Sequence, residues 1–349
     1  MSRLWCLLTA LLLGGCASAP PSLSLVGQVD QAVAWPGPPA QARFRYLGEL
    51  TGEANIVVDP DSRQIGRRIF DWLVGLTSGR RQPVILQRPQ GGYTDPDGRT
   101  YVTDVSRAAV YVFDKPAGAL YVWEMADRNT RFVTPIAISP GPDNSLLVSD
   151  AELGYVVRLN GKGEPEGHFG QDVLKRPTGL VYDRRTDEIF VSDTAMHDIK
   201  VFDRAGNLVR RIGHRGEDDG TFNGPTYLAL LDDKLYVTDT LNARVQVLDE
   251  QGHFIRKFGR RGLFVGDTPR PKGVAVDDRG HAYVVESYYD YLLVFDDTGR
   301  FLLPIGGTGS GAGQFYLPAG VWVDGHHRVY VADAFNGRVV VMQYLDGDH

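Results

Sequence analysis

The sequence predicts an all-β protein, a six-bladed β-propeller, and three observations support this prediction. Prolines recur at a nearly constant interval along the chain. Each of them is followed by short apolar runs that are separated by turn-forming residues. The last unit lacks a fourth run, and a segment with the matching pattern stands near the N-terminus. Together these features are typical of a ring of four-stranded blades.

The prolines define the repeat. Successive units are separated by 46, 42, 48, 46 and 47 residues, and internal periods of this size are typical of solenoids, propellers and arrays. The repeats are predicted to start near residues 89, 135, 177, 225, 271 and 318.

The unit that begins at Pro271 shows how one repeat is built. Its apolar runs are VAV, AYVV, YLLVF and FLLPI, and they are divided by DDRG, ESYYD and DDTG. Acidic and glycine-bearing turns between such short runs favour antiparallel hairpins. Each unit is therefore predicted to form one blade, which must bury its faces against neighbouring blades.

Closure of the ring is predicted from the two ends of the chain. The sixth unit ends after its third run, in RVVVMQYLDGDH, whereas ARFRYLGELTG at 42–52 has the pattern of a fourth strand. We expect residues 43–48 to pair beside 338–344, which makes 42–349 the propeller domain.

The N-terminal region predicts a membrane anchor. Arg3 precedes an apolar run at 4–13, and Gly14, Gly15 and Cys16 follow this run, so residues 1–15 have the organisation of a signal peptide. This ending resembles a bacterial lipobox, and the resemblance implies acylation of Cys16 with fatty acids such as palmitate. The alternative is a cleaved secretory signal with an incidental cysteine. Residues 16–41 are rich in proline and are expected to be a tether.

The lipoprotein resemblance also implies a location. Ala17 stands where an aspartate would signal retention in the inner membrane. The bacterial cell envelope is thus the expected compartment, and the outer membrane is favoured over the inner where both exist.

One segment has helical periodicity. Ile65, Ile69, Leu73 and Leu76 share a helical face within residues 62–78, and arginines surround them. This amphipathic helix is expected either to pack on the propeller or to lie against the membrane.

Composition excludes several classes of function. The net charge of −6 disfavours nucleic acid as a partner, because phosphate contacts need a basic surface. The only cysteines are Cys6 and Cys16, so the mature domain has no cysteine motif for a disulfide, a haem or a zinc knuckle. We expect a monomeric propeller without a cofactor apart from the lipid on Cys16.

Two units resemble NHL repeats. The motifs are carried by PTYLALLDDKLYVTDTLNARVQVLDEQGHFIRKFG and PAGVWVDGHHRVYVADAFNGRVVVM, and the resemblance extends over residues 89–349. It implies a six-bladed propeller and leaves the chemistry open, because NHL-type propellers include binding proteins, sensor domains and a few enzymes.

One acidic residue ends the second apolar run of each unit, and it is an aspartate in five units and a glutamate in the unit that begins at Pro271. An acid at this position could bind a cation, or it could close its own turn by accepting backbone N–H groups. The acid persists in units that lack a partner arginine, which favours the turn-closing role. These residues, the acid ring, are Asp104, Asp150, Asp193, Asp239, Glu286 and Asp333.

The fifth unit breaks the pattern, since Glu286 replaces aspartate and a tyrosine-rich loop follows it. Aromatic residues there offer apolar area with a polar tip, which suits a peptide, a sugar or a protein. The recognition surface is predicted to comprise Tyr288, Tyr289, Tyr227, Lys272, Phe335 and Glu286.

The favoured function is a binding or scaffolding module for an envelope protein or an extracellular ligand, and no coherent set of catalytic residues is evident. The alternative is a metal-assisted lyase or lactonase that acts at the central channel. Its ligands would be His168, His197 and His214, which could share a face.

Overall fold

The computed structural model describes residues 21–29, 33–57 and 83–345. The predicted signal peptide, the lipidation site Cys16 and the predicted helix at 62–78 lie outside these residues. Within the described part, none of the helices is long and apolar enough to cross a bilayer. The described helices are three short 3-10 turns: Glu53–Asn55, Pro142–Asn144 and Thr240–Asn242.

Four strands precede the first repeat: β1 (Ser22–Leu23), β2 (Ala34–Trp35), β3 (Phe44–Leu50) and β4 (Ile56–Val57). Five four-stranded antiparallel sheets then follow in chain order. Blade 1 consists of β5 (Pro89–Thr94), β6 (Arg99–Asp104), β7 (Ala109–Asp114) and β8 (Ala119–Trp123). Blade 2 consists of β9 (Pro135–Pro140), β10 (Leu146–Asp150), β11 (Tyr155–Leu159) and β12 (Pro165–Phe169).

Blade 3 consists of β13 (Pro177–Asp183), β14 (Glu188–Asp193), β15 (Asp198–Phe202) and β16 (Leu208–Ile212). Blade 4 consists of β17 (Pro225–Leu231), β18 (Lys234–Asp239), β19 (Arg244–Asp249) and β20 (Phe254–Phe258). Blade 5 consists of β21 (Pro271–Val276), β22 (Ala282–Glu286), β23 (Tyr291–Phe295) and β24 (Phe301–Gly306). The prediction of six blades is confirmed, and the first five blades begin at the predicted prolines.

The sixth blade joins the two ends of the described chain. Its strands β25 (Val321–Val323), β26 (Arg328–Asp333) and β27 (Arg338–Tyr344) are completed by β3. Phe44 pairs with Tyr344 at one end of this antiparallel ladder, and Leu50 pairs with Val339 at the other. The predicted closing strand is therefore confirmed, and it extends two residues beyond the expected end.

The described part of the predicted tether differs from the expectation, because it packs on the propeller. β1 pairs with β4, and β2 adds a fifth strand to blade 6 outside β3. Leu23 and Leu25 pack against one core cluster, and Trp35 packs against another. Burial of these apolar side chains stabilises the contact, although the proline-rich average of the segment hides them in the sequence.

The core lies between adjacent blades. One cluster joins Val112 of blade 1 to Val148 of blade 2, and another joins Phe190 of blade 3 to Leu235 of blade 4. Both faces of the sheets are thereby buried, so the second and third strands are almost continuously buried.

The first strands of all six blades surround a central channel, and a cavity of about 260 Å³ lies within it. The backbones approach closely where these strands begin. A Cβ atom on Gly320 would lie 2.1 Å from the carbonyl oxygen of Gln90 in the neighbouring blade. We refer to the end of the channel where the first strands begin as the top face.

Candidate functional site

The acid ring lies buried around the top face, and its carboxylates are satisfied internally. Asp150 accepts hydrogen bonds from the N–H groups of Glu152 and Leu153, in the turn that follows it, at 3.1 and 3.0 Å. It also accepts from the N–H groups of Val133 and Thr134, in the loop that leads into its own blade. Asp104 has the same arrangement. The acid thus closes its turn and holds the preceding loop, and sequence reasoning missed the second role.

The assignment of Glu286 to the recognition surface was wrong, because this residue is buried within the acid ring. Only 1% of the residue is exposed. Its carboxylate accepts from the N–H groups of Arg270, Tyr288 and Tyr289 at 3.0, 3.1 and 2.7 Å, while burial raises its pKa. The longer side chain reaches three of the four equivalent backbone donors, and the fourth position is Pro269, which has no N–H group.

Three blades add a cation to the ring. Arg244 Nε donates to Asp239 and Arg338 Nε donates to Asp333, both at 2.8 Å. In blade 3 the cation is Lys200, whose Nζ lies 2.9 Å from Asp193 Oδ2 and 2.7 Å from Asp198 Oδ1.

Blade 3 is one of the units that lack the partner arginine, but its ring acid still has a salt-bridge partner in Lys200, which was not expected from the sequence. Asp198 occupies the arginine position, and Lys200 takes over the charge. Residues i and i+2 of a strand share a face, so the two positions can exchange this role.

The assignment of Tyr227 to the recognition surface was also wrong. It is the third residue of β17, at a position where four other blades have glycine, and only 9% of it is exposed. Its hydroxyl donates to the carbonyl oxygen of Gln90 in blade 1 at 3.0 Å. Blade 4 lies opposite blade 1, so this side chain crosses the channel and separates the central cavity from the top face. Tyr227 is therefore a plug, not part of an exposed surface.

Three consecutive blades present an apolar side chain two residues after the ring acid. Leu241, Tyr288 and Phe335 are 57%, 63% and 51% exposed. The loop at 263–265, of sequence Leu-Phe-Val, lies on the same face and is between 54% and 83% exposed. The equivalent positions in blades 1–3 are Ser106, Glu152 and Ala195. We name Leu241, Tyr288, Phe335 and 263–265 the apolar crown.

Two further tyrosines adjoin the crown. Tyr289 lines a small cavity of about 130 Å³ together with Phe264, and its ring meets that of Tyr288 edge to face at 4.8 Å. Tyr316 contacts Phe335 in the same way, at 5.8 Å between centroids. The aromatic rings thus hold one another in place at the surface.

Lys272 is half-buried at the mouth of the channel. Burial, together with the nearby charges of Arg270 and Arg88, lowers its pKa to about 8. The Arg88 guanidinium lies over the ring of Phe335, 5.1 Å from its centroid. Of the six residues predicted for the recognition surface, the structure leaves Tyr288, Tyr289, Phe335 and Lys272 accessible at this end.

The three histidines considered as metal ligands have other contacts. His168 Nε2 lies 2.9 Å from Gln171 Oε1, and its ring packs on Tyr155. His197 Nδ1 accepts from Gly224 N–H at 3.0 Å, while the carbonyl oxygen of His214 accepts from Phe222 N–H. Over residues 21–29, 33–57 and 83–345, no three His, Cys, Asp or Glu residues are placed as a group that could hold a metal ion.

Comparison with known proteins supports the architecture. A family model described as a six-bladed β-propeller matches residues 270–347. No curated protein sequence matches the chain.

Several solved structures share the fold. A virginiamycin B lyase from Staphylococcus aureus is 13% identical with a TM-score of 0.56, and the match covers 74% of this chain and 96% of that one. A gluconolactonase from Xanthomonas campestris is 16% identical with a TM-score of 0.57, covering 74% and 87%. A protein of unknown function from Bacteroides thetaiotaomicron is 13% identical with a TM-score of 0.59, covering 76% and 71%. At these identities the likeness concerns the fold alone.

Proposed function

We propose that the protein is a lipid-anchored propeller of the NHL type that binds a partner protein or an extracellular ligand in the bacterial cell envelope. The apolar crown is the observation that carries this proposal. Exposed large apolar side chains occupy equivalent positions in blades 4, 5 and 6, and the loop at 263–265 extends the same surface.

The distribution of these side chains matters more than their number. Single exposed apolar residues are common on soluble proteins, whereas grouped ones mark interaction sites. The blades share one design, so the crown positions could carry polar residues without loss of fold, as Ser106 and Glu152 do in blades 1 and 2. At the position two residues after the ring acid, large exposed side chains of this kind occur in blades 4, 5 and 6 and not in blades 1–3, which favours a binding role for this part of the top face.

The anchor supplies the location in this proposal. Acylation of Cys16 would hold the propeller at a membrane surface, and more than one acyl chain gives stable attachment. Incorporation of labelled palmitate by the wild-type protein, and its loss in Cys16→Ser, would support the anchor. Equal labelling of the two proteins would contradict it.

The binding role is tested with a photoreactive benzoylphenylalanine in place of Tyr288. Tyr121 of β8 is the matched control position, because it is 47% exposed and lies on the outer strand of blade 1. We expect a discrete cross-linked product in the intact envelope from position 288 and none from position 121.

The double variant Tyr288→Ala/Phe335→Ala tests the same surface by loss. It should abolish cross-linking of the partner to a benzoylphenylalanine placed at 241, while its melting temperature stays close to that of the wild type. Unchanged cross-linking in this variant would remove the crown from the proposal.

A further inference from the structure

The residues that surround the channel mouth are either positively charged or uncharged. The residues immediately before and after the six blade-opening prolines form two rows of six around it. Four of these twelve residues are cations, namely Arg88, Arg176, Arg270 and Lys272, and the other eight are uncharged. The whole chain has a net charge of −6, so this basic mouth is a local exception.

Three of these cations belong to one place in the ring. Gly273 N–H, in the first strand of blade 5, donates at 2.8 Å to the carbonyl oxygen of Ala319, in the segment that leads into the first strand of blade 6. The close approach of Gly320 to Gln90 joins blade 6 to blade 1 in the same way. Lys272 of blade 5 and Arg88 of blade 1 are therefore separated by the segment that leads into β25 of blade 6, and this segment has the uncharged residues Leu317 and Ala319 there.

The cations at this place are not neutralised by the protein. No hydrogen bond or ion pair of the Lys272 ammonium is found among the described residues, and its charged neighbours, Arg270 and Arg88, are themselves positive. The carboxylate of Glu286, the ring acid of the same blade, accepts hydrogen bonds from backbone N–H groups and not from Lys272. A half-buried cation without a counterion is unfavourable for the fold. An external anion would supply the missing counterion of Lys272.

The surroundings define the shape of that anion. Tyr227 crosses the channel beneath the mouth, so a ligand can reach the mouth only from the top face. Arg88 stands over the ring of Phe335 at 5.1 Å, which places a positive charge and an exposed aromatic side chain side by side. A C-terminal residue with an apolar side chain has its carboxylate and its apolar group on the same Cα atom, and thus matches this pair.

We propose that the mouth formed by Lys272, Arg88 and Arg270 binds the C-terminal carboxylate of a partner peptide whose last residue is apolar, with that side chain against Phe335. This inference rests on the proposed binding function and specifies the partner's chemistry. A polyanion such as nucleic acid fits less well, because the cations are few and the other eight residues of the two rows are uncharged.

Small probes test the inference without knowledge of the partner. They are N-acetyl-phenylalanine, its uncharged amide, N-acetyl-glutamate α-amide and inorganic phosphate, each titrated against the intact protein and followed by NMR. We expect N-acetyl-phenylalanine to bind about 10-fold more tightly than the amide, since a charge-assisted contact is lost in the amide.

Variants locate the binding. Lys272→Met should remove the preference for the free acid and Lys272→Arg should retain it, while Lys162→Met, at an exposed turn of blade 2, should leave it unchanged. Because Lys272→Met is also expected to change stability, the melting temperature is measured alongside, and Lys272→Arg separates the loss of the positive charge from the loss of the lysine side chain.

Three results would overturn the inference. Equal binding of the acid and its amide would exclude a carboxylate site. Stronger binding of the glutamate probe would replace the chain terminus with an acidic side chain, and stronger binding of phosphate would replace the carboxylate. None of these outcomes affects cross-linking from position 288, so failure of this inference is distinct from failure of the proposed function.

Discussion

Replacement of Lys272 by methionine is expected to stabilise the protein. The ammonium of Lys272 is half-buried beside Arg270 and Arg88 without a counterion, and its pKa is about 8 instead of 10.5. This difference corresponds to about 3 kcal/mol against the folded state. Part of it is screened because the side chain remains partly exposed to water, so we expect a gain of about 1–2 kcal/mol. Methionine keeps the unbranched apolar stem and removes the charge.

The pH dependence gives the sign of the effect. Below pH 8 the lysine is charged in both the folded and the unfolded state, so the full penalty is present. Between pH 8 and 10.5 the unfolded chain binds more protons than the folded one, and the stability of the wild type therefore rises with pH relative to the variant. The advantage of Lys272→Met should be largest at pH 7 and should disappear above about pH 10.5.

Thermal and urea unfolding of the two proteins at pH 7 and pH 10 measure this difference. We expect the melting temperature of the variant to be about 2–4 °C higher at pH 7. Lys162→Met, which removes an exposed lysine, should leave stability unchanged. A variant of equal or lower stability at pH 7, or a gain that does not change with pH, would refute the reasoning.

Three other predictions concern the fold. Lys200→Met should lower the free energy of unfolding by about 3 kcal/mol in a urea titration, because it leaves two buried carboxylates without their cation; a neutral result would mean that the pair contributes nothing. Gly320→Ala should cost about 2 kcal/mol, since its Cβ would meet the carbonyl oxygen of Gln90, and Gly161→Ala, which has open space, serves as its control; equal melting temperatures would contradict the close packing. Deletion of 338–349 should abolish the cooperative melt seen by circular dichroism, and a near-native transition would show that closure is dispensable.

The architecture was predictable because it is periodic. Prolines at the starts of the blades, and the missing fourth strand of the last unit, are features of spacing that need no knowledge of distant contacts. The closing strand at 43–48 could be assigned for the same reason, as its alternation matches the strand that the sixth unit lacks.

The site was less predictable, because it depends on which side chains face inward. Tyr227 was assigned to the surface, although its alignment with Gly91, Gly179, Gly273 and Gly320 marks a position where the backbones meet and a large side chain must extend into the channel. Lys200 could have been found by applying the two-residue alternation of a strand to Asp198.

The basic mouth and the packed N-terminal segment illustrate two further limits. Arg88, Arg270 and Lys272 come together only when the units are aligned at their prolines and closed into a ring. Trp35 and Leu23 lie among prolines and small residues, and their partners are distant in sequence, so composition averaged over the segment concealed them.

Ring closure has a consequence for how the chain folds. Phe44 of β3 pairs with Tyr344 of β27, so one of the earliest segments to be synthesised waits for one of the last. Long-range pairing of this kind slows folding, because the loop entropy is lost before the contact forms. Until then β3 and β27 present unpaired edges, which are prone to pair with other chains. Chaperone demand during biogenesis should therefore be concentrated in the interval before the sixth blade is complete.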